Sequence, residues 1–247
     1  MENIPKHVAV IPDGNRRWAR KKGLKAWIGH RVGVKAFEKI LEKSRELKIP
    51  YFTFWGGSWD NLTKRSKIEI NFLFKVYTEQ FKRVADDKRI HQNKVKINVL
   101  GRWKEIFPKE TQEAIEKALE VTKDYNNFFL TCLLAYDGTD EMLDCIQRIV
   151  NLCKRKTTSP VRDSSLSGVK ISKNLIKENL WTKDLPPVDL VIRTGCEGDP
   201  HNSAGFMMWD TTYSQLYFTK TLFPAFGPEE FEKIIEDYSK RERRLGA

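Results

Sequence analysis

Six short apolar runs, separated by stretches of helical periodicity, leave this chain few ways to fold. The runs are His7 to Ile11, Ile49 to Trp55, Val95 to Leu100, Phe128 to Ala135, Val188 to Ile192 and Gln215 to Phe218. Each has the length and bounding turn residues of a buried strand. Between the first two, Gly33 to Lys48 carries Val34, Phe37, Ile40, Leu41 and Leu47 at helical spacing, with lysines and glutamates opposite. From Ser66 the pattern recurs with Phe72, Leu73, Val76, Tyr77, Phe81 and Val84, an aromatic stripe. Pro108 to Lys123, Asp140 to Cys153, Asn174 to Trp181 and Pro228 to Arg241 read as further helices. This alternation predicts an α/β fold: a single domain over residues 1–247, with a mostly parallel central sheet of about six strands flanked by helices. Lys154 to Ile171, rich in Ser and Thr, breaks the pattern and is predicted to be a surface loop.

Ligands of such sheets bind outside the carboxyl ends of the strands. Four polar clusters fall there: Asp13-Gly-Asn-Arg-Arg17, Ser58-Trp-Asp-Asn61, Asp137-Gly138 and Arg193-Thr-Gly195. A solvated turn explains any one of them; four at one edge argue for a site. Backbone N–H groups beside guanidinium forks suit a phosphate, and Asp13 among them could hold a divalent cation against it. Neither G-x-x-x-x-G-K-[ST] nor a G-x-G-x-x-G after the first strand is present, which removes the main support for kinase and dinucleotide-enzyme readings.

The net charge of +11 and isoelectric point near 9.4 favour polyanionic partners: nucleic acid, an anionic membrane surface or phosphorylated substrates. No RNP, KH or zinc-knuckle signature supports the first, so no nucleic acid is expected. Cys132, Cys145, Cys153 and Cys196 lack Cys-x-x-Cys spacing and read as reduced thiols rather than zinc ligands or disulfides. No apolar run nears the roughly 18 residues of a membrane span, and the amino terminus lacks a signal core. The expected location is cytoplasmic, at most peripheral to a membrane.

The segments His7-Val-Ala-Val-Ile-Pro-Asp-Gly-Asn-Arg-Arg-Trp-Ala19, Gly29-His30-x-x-Gly33, Asp189-Leu-Val-Ile-Arg-Thr-Gly195, Tyr213-Ser-Gln-Leu-Tyr-Phe-Thr219 and Arg241-Glu-Arg-Arg-Leu-Gly246 resemble the cis-prenyltransferases, in order and from end to end. The resemblance implies Mg²⁺-assisted condensation of an allylic prenyl diphosphate with isopentenyl diphosphate, forming a Z double bond; the expected product here is a short or medium chain, with an altered acceptor or regiochemistry as the variant reading. It implies that Asp13 holds Mg²⁺ and engages the leaving diphosphate, and that Asn61 acts near proton abstraction. It assigns substrate binding to Gly14, Asn15, Arg16, Arg17, Trp18, Lys25, His30, Ser58, Asp60, Arg65, Arg193, His201 and Ser203. Arg244 and Gly246 would reach a partner subunit's site, and a homodimer in transient contact with a membrane surface is expected, with a heteromer as the alternative.

The chain departs from the family pattern at several of these positions. Asp60 replaces a glutamate, Leu62 an aromatic residue, His201 an arginine, and Gln215 a late metal-binding glutamate. A neutral amide attracts Mg²⁺ less than a carboxylate does. Two readings compete with an active enzyme: a non-catalytic partner subunit of a heteromeric cis-prenyltransferase, and a basic RNA-binding protein. The aromatic stripe is either core or the wall of a product tunnel, which Phe72, Phe74, Tyr77 and Phe81 would shorten.

Overall fold

The computed structural model describes residues 3–157 and 170–241. Its six strands are β1 (His7–Ile11), β2 (Tyr51–Gly57), β3 (Val95–Leu100), β4 (Phe128–Leu134), β5 (Leu190–Arg193) and β6 (Gln215–Phe218). They form one sheet in the order β3-β4-β2-β1-β5-β6, with every pairing parallel. All five residues of β1 are buried, which is why this strand reads as a continuous apolar run rather than an alternating one.

The helices are α1 (Asn15–Lys21), α2 (Ile28–Glu46), α3 (Trp59–Thr63), α4 (Lys67–Asp86), α5 (Lys88–Gln92), α6 (Trp103–Ile106), α7 (Lys109–Thr122), α8 (Gly138–Thr157), α9 (Lys173–Asn179) and α10 (Pro228–Ser239). The sheet is covered unequally. Val8, Val10, Phe52, Ile97, Leu130, Leu190 and Ile192 form one core with residues of α2, α4, α7 and α10. Ala9, Ile11, Trp55, Leu133 and Val191 form a second core with Leu185, Val188, Phe206 and Met207. Each fully buried Phe, Ile or Leu in these layers contributes roughly 1.5–3 kcal/mol of apolar transfer.

Several boundaries differ from the sequence reading. The expected Asp13-Gly-Asn15 turn leads directly into a helix, Asn15–Lys21, and α2 starts at Ile28 rather than Gly33. The two glycines of Gly29-x-x-x-Gly33 let α2 lie directly on α1: a Cβ on Gly29 would stand 2.0 Å from the Asn15 carbonyl oxygen, and one on Gly33 2.4 Å from Asn15 Oδ1. The first residue of α1 thus packs directly against the glycine face of α2. Lys154 to Thr157, assigned to the predicted loop, continue α8, and residues 158–169 of that loop lie outside the described residues. Cys132 is unpaired and its thiol is pushed up to about 12 by burial, so it stays protonated. No helix among the described residues is long and apolar enough to cross a membrane.

Candidate active site

The strands β4, β2, β1 and β5 are neighbours, so the four polar clusters that follow them meet at one edge of the sheet. Asp13, Asn61, Asp137 and Arg193 line the same cavity there.

Asp13 lies between two guanidinium groups. Arg193 Nη2 donates to its Oδ2 at 3.1 Å, and Arg17 Nη2 stands 3.3 Å from its Oδ1. Arg193 is buried at the end of β5, and its Nη1 donates to the His201 carbonyl oxygen and to Ser203 Oγ, both at 2.7 Å. Its Nε is buried without a partner. The backbone of the Asp13 turn is fixed by Thr194 Oγ1 and Phe223 N, which both donate to the Asp13 carbonyl oxygen. Gly14 is the N-cap of α1, and Asn15 holds the turn through Nδ2 to the Pro12 carbonyl oxygen at 3.1 Å.

A second carboxylate centre stands across the cavity mouth. Glu69, in the first turn of α4, is 3% exposed. Its Oε1 lies 3.1 Å from Arg65 Nη1, 3.4 Å from His30 Nε2 and 3.5 Å from Arg16 Nε. Arg65 Nη2 donates to Asn61 Oδ1 at 2.7 Å. Burial holds the His30 imidazole below its ordinary pKa, opposed by the hydrogen bond to Glu69 and aided by the charge of Arg65. The hydrogen bond from His30 and the charges of Arg65 and Arg16 hold the Glu69 carboxyl below the usual range. Sequence reasoning missed Glu69. Ser66-Lys-Ile-Glu69 has capping-box spacing, which explains the glutamate without any site, and Ser66 Oγ does accept from Glu69 N.

Behind this mouth the cavity, about 680 Å³, runs between the sheet and the helices α2 and α4. Phe37, Leu41, Phe54, Leu73, Val76, Tyr77, Phe81 and Val84 line its interior, and Ile49, Val95 and Phe128 mark its far end at the amino edge of the strands. A bulge in β2 between Trp55 and Gly57 frees the Gly56 carbonyl oxygen, which accepts from Tyr77 Oη at 2.8 Å. The far rim is polar: Arg45 Nη1 donates to Asn93 Oδ1 at 2.9 Å and Arg45 pairs with Glu42. A cationic mouth opening onto an apolar chamber fits an amphiphile with a phosphorylated head and a hydrocarbon tail.

Of the expected residues, Asp13, Gly14, Asn15, Arg16, Arg17, His30, Ser58, Asp60, Asn61, Arg65, Arg193 and Ser203 line this cavity. Ser58 caps α3 by accepting from Asn61 N, and the exposed Asp60 pairs with Lys64. The structure corrects other expectations. Lys25 is exposed and sits over the Trp27 ring, and the half-buried Trp18 does not line the cavity. His201 turns its carbonyl oxygen to Arg193 while its ring Nδ1 faces Asp199. Gln215 pairs in register with Leu190, whereas the Asp13 turn follows the level of Arg193 and Phe218, so Gln215 stands about 10 Å away along the strand direction and accepts from Arg241 Nη1. Within one chain the register therefore separates Gln215 from the Asp13 turn. Phe72 stacks under Arg31 and Phe74 packs on Phe107, so of the four aromatic residues only Tyr77 and Phe81 face the cavity. Arg244 and Gly246 lie outside the described residues.

The family model described as putative undecaprenyl diphosphate synthase matches residues 11–246. A relative from Pyrococcus furiosus, named tritrans,polycis-undecaprenyl-diphosphate synthase (geranylgeranyl-diphosphate specific), is 42% identical over 243 residues, covering 98% of this chain and 87% of that one. An isoprenyl transferase from Clostridium perfringens is 34% identical over 245 residues, covering 99% of this chain and 91% of that one. Among solved structures, lavandulyl diphosphate synthase from Lavandula x intermedia in complex with dimethylallyl diphosphate is similar with a TM-score of 0.84 and 25% identity over 99% of both chains. Likeness of this extent, in sequence and in fold, leaves one assignment: the chain belongs to the undecaprenyl diphosphate synthase family and is a cis-prenyltransferase.

Proposed function

We propose that the protein elongates geranylgeranyl diphosphate with isopentenyl diphosphate to a medium-chain Z-polyprenyl diphosphate, with Asp13 holding Mg²⁺ at the head of the allylic substrate. The observation that carries this reading is the single cavity that joins a mouth of arginines to an apolar interior. The geranylgeranyl primer and the medium chain follow the printed names of archaeal relatives. A partner-subunit role is not favoured, since those relatives are named as synthases.

The donor set fits Mg²⁺. No group of three or more His, Cys, Asp or Glu side chains that could enclose a metal occurs among the described residues. Mg²⁺ is usually held by one or two carboxylates together with substrate phosphates, and Asp13 supplies one such oxygen ligand beside phosphate-binding arginines. A Mg²⁺ held there by Asp13 would neutralise charge on the departing diphosphate.

The protein's own groups do the rest. Arg16, Arg17 and Arg65 offer guanidinium donors to the diphosphate oxygens, on which negative charge grows as the allylic C–O bond breaks. Arg193 and Ser203 hold isopentenyl diphosphate, whose terminal carbon bonds to the allylic carbon as the allylic C–O bond breaks and whose C2 proton passes to an oxygen of the released diphosphate. Asn61, with its oxygen occupied by Arg65, presents its amide N–H₂ to this step. The new, longer chain moves into the Phe54–Tyr77–Phe81 chamber.

Purified protein with Mg²⁺, geranylgeranyl diphosphate and labelled isopentenyl diphosphate is expected to yield labelled, butanol-extractable product. Asp13→Ala is expected to lower kcat by about 100-fold or more. A wild-type protein that extends no allylic primer overturns the reading. Leu143, Ile146 and Val150 form an exposed apolar stripe on α8 that supports a homodimer; a monomer mass by light scattering removes that part.

A further inference from the structure

We infer that Glu69 is a positioning residue of this reaction, a buried counter-charge that aims Arg16, His30 and Arg65 at the diphosphate before any substrate arrives. The inference rests on the proposed prenyl transfer, and its argument starts from where Glu69 stands. Its three partners and Asn61 all line the cavity, whereas Glu69 does not. The nearly unexposed carboxylate stands behind the donors, which face the chamber.

A capping-box glutamate normally turns back to the backbone N–H of its own N-cap residue. Glu69 instead points away from its helix end, at side chains from three separate pieces of chain: Arg16 on α1, His30 on α2 and Arg65 before α4. Burial of a carboxylate is costly unless charged partners surround it. Here the compensation is the convergence itself, since the three nitrogens lie within 3.5 Å of one oxygen. Arg65 relays the effect: with one nitrogen on Glu69 and another on Asn61 Oδ1, it also sets which end of the Asn61 amide faces the cavity. Arg16 Nε makes an ion pair with Glu69 yet has no hydrogen-bond partner, leaving a buried donor beside the mouth.

Two roles for Glu69 predict opposite signs. If the site worked by attraction alone, an anion inside it would oppose diphosphate binding, and neutralising Glu69 would improve both binding and rate. If geometry matters, neutralising it leaves binding of a bare anion intact or stronger while turnover falls, because the donors no longer meet the developing charge.

The test compares the full-length wild type with Glu69→Gln and Glu69→Asp. The readouts are kcat and KM for geranylgeranyl diphosphate with isopentenyl diphosphate and Mg²⁺, the Kd for inorganic pyrophosphate by calorimetry, and the unfolding midpoint. Glu69→Gln is expected to lower kcat by about tenfold or more, with pyrophosphate affinity unchanged or a few-fold tighter. Glu69→Asp keeps the charge one methylene further back and is expected to show the same split at about threefold in kcat. A Glu69→Gln kcat within about twofold of wild type overturns the inference, as does a loss of kcat and pyrophosphate affinity in equal proportion. Where Glu69→Gln does not fold, a Glu69→Asp kcat equal to wild type overturns it. Absent wild-type turnover removes the proposed function as well, so the two failures are distinguishable.

Discussion

His7 is the clearest case of a single residue whose chemistry the fold decides. Its Nδ1–H faces the Pro186 carbonyl oxygen at 2.9 Å, which leaves Nε2 to accept from Thr53 Oγ1 at 2.8 Å. Burial pushes its pKa from 6.5 down to about 4, against the smaller raising effects of the Pro186 carbonyl and Asp189. The unfolded chain therefore takes up this proton first as pH falls. The contribution of His7 to stability is full above about pH 6.5, declines between 6.5 and 4, and falls no further below 4, a total of roughly 3 kcal/mol. Urea unfolding of wild type and His7→Gln at pH 7 and pH 4.5 measures it: the wild type should lose more stability on acidification than the variant, and parallel losses would exclude this role. At the same scale the site divides by locality. Asp13, Arg17 and Arg193 announce themselves because each sits beside a strand end in a short polar cluster. Glu69 does not, because its partners come from positions 16, 30 and 65 and its spacing from Ser66 already has an ordinary explanation. Gln215 shows the converse: a motif places a residue in a sequence, whereas strand register puts it at the start of β6, away from the level of Arg193.

Helix α4 shows how much periodicity can and cannot say about an element. Its stripe correctly predicts a helix with one apolar side, and all six strands are recovered to within a few residues. Periodicity does not divide that side between packing on α7 and lining the cavity. Phe74 packs tilted against Phe107, and Thr78 bonds Thr111 on α7, while Phe81 lines the chamber and Tyr77 does both, stacking on Phe107 and lining the chamber. Phe72 lies outside the cavity under the Arg31 guanidinium, 5.3 Å from its ring centroid. Phe81→Ala is therefore expected to enlarge the chamber, move the product distribution to longer chains and cost about 3–5 kcal/mol. Phe72→Ala should cost about 0.5–1 kcal/mol and leave product length alone. Mass spectrometry of extracted products and thermal unfolding check both, and a length change in Phe72→Ala without one in Phe81→Ala would reverse the assignment. Helix α1 was not legible because it is only seven residues long and begins inside a turn sequence, and the close approach of the α2 glycines to Asn15 is a contact made by another element.

In the molecule as a whole, the chamber occupies the side of the sheet that carries α2, α4, α7 and α10. Protein interiors are otherwise close-packed, and side chains around a void lack contacts they would have in a filled core. The free protein therefore forgoes part of the cohesion that its own chamber walls could supply. Hydrocarbon that enters restores those contacts and binds only the folded state, so it shifts the folding equilibrium by mass action, by about 2.7 kcal/mol at one hundred times its Kd. Differential scanning fluorimetry with an unreactive long-chain alkyl diphosphate should raise the unfolding midpoint by several degrees, well beyond inorganic pyrophosphate at equal saturation; equal shifts for the two would mean that the chamber takes no tail. The lipid tail is then a structural component that the polypeptide does not encode, and the protein is most completely folded while it is at work.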